Sequence, residues 1–203
     1  MTSRTNYHHG ALRETLLTAT LELIEQEGIG AVSLRRVARA AGVSPGAPYH
    51  HFPDRAALLT ALSNEGFRHL TKTLKKAKVK ATATAENPKD AVEALLQAYV
   101  NFAQENPAYF HLMFRPELKQ SQKTDNEDTP ADEAFAVLNE TVSTSLVNNT
   151  EHTVDKDVLA ITLWSLAHGL ASLWLDGQLA HHNKNPNTLT EQVAKLATKL
   201  TTP

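Results

Sequence analysis

The fold is decided by residues 33–55, SLRRVARAAGVSPGAPYHHFPDR, which predict two short helices joined by a tight turn. Ser33 is a favourable N-cap, because its hydroxyl can accept a hydrogen bond from a free backbone N–H of the first turn. An apolar stripe at helical spacing follows, formed by Leu34, Val37, Ala38 and Ala41. Gly42 stands directly after this helix, where a left-handed C-cap favours a residue without Cβ.

A second helix is predicted to begin at Ser44. Ser44 is its expected N-cap, and Pro45 takes the first helical position, where a missing N–H costs nothing. Tyr49 and Phe52 are expected on its inward face. Helix, glycine turn and helix form the helix-turn-helix arrangement, whose second helix enters the DNA major groove. A generic helical hairpin with a solvated basic face is the alternative, because short helix pairs are common.

The local charge favours a nucleic-acid partner. Residues 33–55 contain four arginines and one aspartate, a net +3, whereas the whole chain carries −2. Any DNA contact must therefore come from this patch. Arg35 can bind guanine O6 and N7 together. The predicted base readers are Arg35, Ser44, Gly46 and Ala47. The predicted DNA-binding set also includes residues that mostly contact the phosphate backbone of the DNA, namely Ser33, Pro45, Tyr49, His50, His51 and Arg55.

The same stretch resembles the DNA-binding helix-turn-helix of the TetR family of bacterial transcriptional regulators, and the resemblance extends over residues 7–65. The matching residues are Leu34, Val37, Ala38, Ala41-Gly42-Val43-Ser44, Tyr49, His51-Phe52 and Arg55. Trp164 and His168-Gly169 resemble the signature of one C-terminal domain type in this family, named for its Trp, His and Gly. The resemblance implies a homodimeric repressor that a small ligand releases from DNA.

Pro48 departs from the family pattern, because many members carry leucine or isoleucine at this position. A proline four residues past the Ser44 cap removes one helical hydrogen bond and crowds the Ser44 carbonyl. A late or distorted start of the second helix is therefore the alternative to a regular one.

Composition indicates an ordinary soluble protein, with 41% apolar and 21% charged residues among 203. The absence of cysteine excludes disulfides and thiolate metal sites. The chain begins without an apolar signal region, so we expect a cytoplasmic protein. Neighbouring histidines on a helix point to different faces and cannot chelate together. With no catalytic constellation apparent, we predict no enzyme, no cofactor and no metal.

Helical periodicity predicts an all-α chain of two domains. A helix over Leu12–Gln26, stopped at Gly28, completes a three-helix DNA-binding domain over residues 1–53. Residues 54–203 are predicted to form a helical ligand-binding and dimerisation domain, in which three helices open with Asn87-Pro88, Asn106-Pro107 and Thr129-Pro130. The fourth helix runs into Lys72, Lys75, Lys76, Lys78 and Lys80. A solvated helix end is the ordinary interpretation of that run, and attraction to phosphates is the alternative.

The most apolar stretch, residues 158–175, approaches the length of a membrane span, but polar residues interrupt it and we expect no membrane contact. A helix that is apolar all round must be buried on every side. One side can pack against the core of its own domain, so the other side requires a partner. We predict a two-fold interface with the last helix, as in the resembled family. Its residues are Leu170, Trp174, Leu189, Val193, Leu196 and Leu200.

Aromatic residues are frequent on the helices between these regions. We predict an apolar or aromatic ligand, oriented by one or two hydrogen bonds. The ligand-binding set is Tyr99, Phe102, Phe110, Met113, Phe114, Phe135, Trp164 and His168. Ordinary core filling is the alternative for the aromatics, and a hydrogen-bonded core histidine is the alternative for His168.

The combined prediction is a sequence-specific transcriptional regulator, with the repressor role resting on the resemblance. Its expected partners are a palindromic operator in double-stranded DNA, a second copy of itself and a small-molecule effector of unknown identity. A ligand-independent DNA-organising protein is the first alternative. A helical enzyme is the second, although the chain offers no catalytic constellation.

Overall fold

The computed structural model describes residues 4–84, 87–119, 128–146, 155–182 and 185–199, which form helices and turns without a strand in these ranges. The all-α prediction is confirmed. The helices are α1 (Arg4–Glu27), α2 (Leu34–Ala40), α3 (Arg55–Thr84), α4 (Pro88–Glu105), α5 (Pro107–Met113), α6 (Pro116–Lys119), α7 (Pro130–Leu146), α8 (Lys156–Leu175) and α9 (Pro186–Lys199).

The chain divides into two compact units. The first consists of residues 1–66 and 108–127, and the second of residues 67–107 and 128–203. The first unit thus takes the start of α3 together with α5 and α6. The domain boundary after residue 53 stays a prediction.

The first unit has a core of aliphatic side chains from α1, α2 and the start of α3. Leu16, Val37 and Leu58 are completely buried there. Helix α1 begins earlier than the predicted Leu12. It ends before Gly28 as predicted, because Gly28 adopts a φ of 82°, which favours glycine.

In the second unit, α4 packs against α7, α8 and α9. Two of the predicted X-Pro starts carry their caps: Asn87 forms a capping box with Asp90, and Thr129 exchanges hydrogen bonds with Asp132. Asn106 differs, because its side chain donates to the carbonyl of Phe102 in the preceding helix. Asn185 caps α9 before Pro186, a start of the same kind that sequence reasoning missed.

Gly66 lies in α3 at a close approach to α5 within the first unit. A Cβ at this position would stand 2.7 Å from Met113 Sδ, 2.8 Å from Met113 Cγ and 2.9 Å from Tyr109 Cδ1. These atoms belong to buried side chains with little room to withdraw. Gly66→Ala is therefore expected to lower the free energy of unfolding by about 1–3 kcal/mol through overpacking, despite the better helix propensity of alanine.

Urea unfolding measures this change. Gly30→Ala is the control, because a Cβ there meets nothing within 4 Å. Equal stabilities of the Gly66→Ala protein and the wild type would contradict the prediction.

Candidate functional site

The turn after α2 has the predicted caps. The Ser33 hydroxyl accepts a hydrogen bond from the N–H of Arg36 at 3.3 Å. Gly42 adopts a φ of 67°, and its N–H donates to the carbonyl of Arg39. The N–H of Val43 donates to the carbonyl of Ala38 at 2.9 Å, which completes a Schellman motif. The predicted start and end of α2 are confirmed.

The element after the turn is a 3₁₀ helix over Ala47–His50. The prediction that Ser44 caps an α-helix starting at Pro45 was wrong. Pro48 has no N–H to donate to the Ser44 carbonyl, which instead accepts from the N–H of Ala47 at 3.0 Å. This three-residue spacing of the hydrogen bonds produces a tighter and shorter helix.

The inward face of this element also differs from the prediction. Phe52 is buried as predicted, but Tyr49 is 53% exposed, so its assignment to the inward face was wrong. Pro48 is the buried residue, and its carbonyl accepts from the N–H of Phe52 at 2.9 Å. Pro48 therefore occupies the inward position, and Tyr49 points to solvent.

The predicted DNA-binding residues extend from the N-terminus of α2 to the first residue of α3, and the described structure leaves most of them accessible. The exposed ones are Arg35, Ser44, Pro45, Gly46, Tyr49, His50 and Arg55, and the half-buried ones are Ser33, Ala47 and His51. Their contacts with DNA stay a prediction. Arg39 is also exposed, at the end of α2, and was left out of the predicted set although it contributes to the local net charge.

Two arginines of the segment have partners within the first unit. Arg55 donates from Nε to the carbonyl of Val32 at 2.9 Å and from Nη2 to the carbonyl of Ile29 at 2.7 Å. It therefore ties the start of α3 to the turn before α2, with further N–H groups left over. Arg36 forms an ion pair with Glu27 at 2.5 Å.

An aromatic cluster lies in the second unit around Tyr99. The Tyr99 hydroxyl forms a 3.0 Å hydrogen bond with Nδ1 of His168. The rings of Tyr99 and Trp164 meet edge to face at 4.9 Å between centroids, and Phe135 meets Trp164 in the same way at 5.6 Å. Burial raises the pKa of Tyr99 far above its ordinary value, so its hydroxyl stays protonated.

The cavity inside this cluster is very small, about 10 Å³. That is barely the room one water molecule needs. Its lining carries no charged side chain and consists of Leu74, Leu95, Leu96, Tyr99, Leu138, Trp164 and Ala167.

The predicted ligand-binding residues divide between the two units. Tyr99, Phe135, Trp164 and His168 are brought together, and Phe102 is buried on α4. Phe110, Met113 and Phe114 belong to the first unit instead. Sequence spacing could not reveal this separation.

Helices α8 and α9 combine a buried stripe with exposed apolar side chains. Ala160, Leu163, Ala167 and Ala171 form the buried stripe of α8. Val158, Ile161, Leu166 and Leu173 lie exposed, and sequence reasoning missed them as interface candidates.

The predicted interface residues fall into three groups. Leu170 and Trp174 are half-buried, on the same side of α8 as the buried stripe. Leu189 and Val193 are half-buried, while Leu196 is 60% exposed. Leu200 lies outside the described residues. The interface itself stays a prediction.

Neither a metal site nor a membrane protein is indicated by the described residues. No group of three potential metal-ligating side chains occurs in these ranges. Lys156–Leu175 has a mean hydropathy of 1.6 and is long enough to cross a membrane, but core helices of soluble proteins share this length and hydropathy.

The caps and the turn at Gly42 define a helix-turn-helix protein. The family model described as bacterial regulatory proteins, tetR family, matches residues 16–62. The model described as tetracyclin repressor-like, C-terminal domain, matches residues 92–196, more than half of the chain. The chain therefore belongs to the TetR family.

Relatives match the chain over part of their length. The chain is 34% identical over 106 residues to the nucleoid occlusion factor SlmA of Glaesserella parasuis, a match of 49% of this chain and 50% of that protein. It is 35% identical over 96 residues to the HTH-type transcriptional regulator BetI of Pseudomonas aeruginosa, with 46% and 47% covered. The chain thus spans about half the length of the curated relatives it matches.

A solved structure matches over nearly the whole chain. It is a protein with unknown function from Rhodococcus sp. RHA1, with 27% identity and a TM-score of 0.76. The match covers 96% of this chain and 97% of that one.

Proposed function

We propose that the protein is a cytoplasmic, sequence-specific DNA-binding transcriptional regulator that acts as a repressor. The observation that carries this proposal is the helix-turn-helix of the first unit, with Arg35, Tyr49 and His50 exposed around a capped turn. Guanidinium and imidazole groups and free backbone N–H groups are suited to base edges and phosphates. BetI, which bears the name of a transcriptional regulator, supports the same class.

A homodimer is part of this proposal. Exposed apolar side chains on α8 and α9 are costly in water, and a second copy would bury them. A two-fold dimer presents two recognition elements, so its operator would be a palindrome.

The regulator would respond to an apolar or aromatic ligand at the cluster around Tyr99. The uncharged lining supports a neutral ligand, and the Tyr99–His168 pair offers one polar anchor. Because the cavity holds no more than about one water molecule, a ligand must displace Trp164 or its neighbours to bind. Such a ligand releases DNA only if it binds the DNA-free conformation more tightly.

A ligand-independent DNA-organising protein is the second candidate. The tight packing of the cluster favours it, because a cavity of about 10 Å³ leaves no room for an effector without rearrangement. The match to SlmA, named as a nucleoid occlusion factor, points in the same direction. A helical enzyme finds no support among the described residues.

Selection of duplexes from a random pool by the purified protein tests the DNA-binding function. We expect enrichment of a two-fold-symmetric sequence with nanomolar-range affinity that falls steeply with salt. Failure to enrich any sequence at low and at moderate salt would contradict the proposal.

Trp164→Ala distinguishes the ligand-responsive regulator from the ligand-independent one. It removes the ring that meets both Tyr99 and Phe135, so it should alter the response to an effector. Ligand-free operator binding should stay nearly unchanged, because the DNA-binding residues lie in the first unit. Both responses are measured as operator affinity with and without compounds from an apolar library.

Fluorescence supplies an independent measurement of the same site. The chain has two tryptophans, so Trp174→Phe leaves Trp164 as the sole emitter. A library in which no compound shifts the emission of Trp164, the melting temperature or the operator affinity would reject the ligand and favour the second candidate.

A further inference from the structure

The two ends of the helix-turn-helix meet in the first unit, and Arg55 joins them. Residues 33–54 begin directly after Val32 and end directly before Arg55. The Arg55 guanidinium donates from Nε to the Val32 carbonyl at 2.9 Å and from Nη2 to the Ile29 carbonyl at 2.7 Å. These bonds join residues 23 and 26 positions apart, so they close the whole segment into a loop. We call this pair of bonds the Arg55 clasp.

The carbonyls that accept these bonds belong to the short turn that leads into α2. Ile29–Ala31 form a 3₁₀ helix, and the N–H of Val32 after it donates to the Ile29 carbonyl at 3.3 Å. The Val32 side chain is buried in the core of the unit. Ser33, the next residue, is the N-cap of α2. A shift of this turn therefore shifts the first turn of α2, which carries Arg35.

The clasp explains why an arginine stands at the start of α3. Arg55 is the first residue of this helix, where the positive end of the helix dipole disfavours a cation. The two carbonyls compensate, because hydrogen bonds from a charged donor are stronger than neutral ones. A carboxylate is also near. The pKa of Glu117 is lowered mainly by hydrogen bonds from its own backbone and from Arg115, and to a smaller extent by the charge of Arg55. This neighbour weakens the attraction of Arg55 for a DNA phosphate.

We propose that Arg55 is a positioning residue for DNA binding, which fixes α2 and its proposed base reader Arg35 through the clasp rather than by binding a phosphate. This inference rests on the proposed DNA-binding function. Without the clasp, α2 occupies the position required for binding during only a fraction of the time. The apparent affinity for the operator then falls in proportion to that fraction.

Arg55→Lys separates the two roles that this cation could have. Lysine binds phosphates as a flexible point charge but lacks the planar fork for two fixed bonds, so it can replace a phosphate contact and not the clasp. Arg68→Lys is the matched control, because it makes the same change at an exposed position farther along α3. Both full-length proteins are titrated with the selected operator and with its single-base variants. Urea unfolding establishes that each protein is folded under the conditions of the titration.

We expect Arg55→Lys to reduce operator affinity by about tenfold per protomer, the factor that one hydrogen bond from a charged donor contributes, and by about 100-fold in a dimer. It should also relax the preference at the base pair that Arg35 reads, although the substituted side chain contacts no base. Because both changes act on the same contact, Arg35→Ala/Arg55→Lys should lose less affinity than the product of the two single losses. Arg68→Lys should bind as the wild type does.

Amide hydrogen exchange locates the change within the first unit. Faster exchange in α2, with unchanged exchange in α1, supports the clasp because the opening is then local. Equal acceleration in both helices reports a loss of global stability and overturns the inference. Arg55→Gln is the second variant, since its amide keeps a hydrogen-bond donor without the charge or the fork. It should show the same local acceleration as Arg55→Lys.

The outcomes separate the inference from the function on which it rests. An Arg55→Lys protein with wild-type affinity and base preference overturns the inference and leaves the regulator intact. Equal weakening of every DNA sequence, with base preference retained, also overturns it, because a phosphate contact then accounts for the loss. Wild-type protein that selects no DNA sequence overturns the proposed function itself.

Discussion

Replacing Leu196 with glutamate is expected to convert the dimer into monomers and to abolish high-affinity operator binding. Leu196 is 60% exposed in the protomer, so the new carboxylate stays hydrated there and the protomer still folds. In a two-fold interface each copy would bury an unpaired charge, at a cost of about 3–5 kcal/mol per charge. The loss of the dimer halves the number of DNA-contacting elements, so affinity falls much further than any single contact would explain.

Sedimentation at micromolar concentration and operator titration measure the two effects. Val79→Glu is the matched control for sedimentation, because Val79 is equally apolar and 68% exposed but lies on α3. It should sediment as the wild-type dimer does. A wild-type monomer, or a Leu196→Glu protein that remains dimeric, would show that the interface lies elsewhere.

Arg35→Ala is expected to cost about 1–3 kcal/mol of operator affinity and to relax the preference at one base pair in each half-site. Arg35 is exposed in the first turn of α2, and a guanidinium can bind the paired acceptors of guanine. Removal of this contact leaves other positions of the operator as selective as before.

Arg36→Ala provides the control, since it removes the same charge from the neighbouring residue. Arg36 is engaged by Glu27, so its loss should weaken all DNA sequences alike without changing preference. Binding of single-base operator variants to both proteins is the measurement. If Arg35→Ala kept affinity and preference intact, the orientation assigned to the helix-turn-helix would be incorrect.

Sequence predicted the parts of the fold that short-range chemistry determines. Ser33 and Gly42 could be assigned because a hydroxyl cap and a left-handed glycine act within one turn of their own position. Asn87 and Thr129 followed the same logic before proline. Asn106 shows the limit of this reasoning, because its side-chain amide can hydrogen-bond to the end of the preceding helix as well as cap the following helix.

The features that sequence could not predict depend on how one residue changes its neighbours or on packing in three dimensions. The distorted second helix is the alternative that Pro48 predicts and is confirmed, whereas the outward position of Tyr49 could not be inferred from spacing. The small size of the cavity beside Trp164 depends on how side chains pack together, which composition does not reveal. The side of α8 that holds Leu170 was ambiguous because that helix is apolar all round.

The proposed recognition element over Ala47–His50 has four residues, which limits the number of base pairs that one protomer could read with it. A genome offers about 10⁶–10⁹ competing positions, and each mismatched base pair costs about 1–3 kcal/mol. To single out one position in 10⁶ takes about 8 kcal/mol, or roughly four well-read base pairs. Two such short elements, one from each protomer, would meet this requirement for about 10⁶ competing positions but not for about 10⁹. The proposed regulator would therefore bind a set of related sites, and a narrower choice would depend on base readers outside this element, such as Arg35, and on the deformability of the DNA between the half-sites.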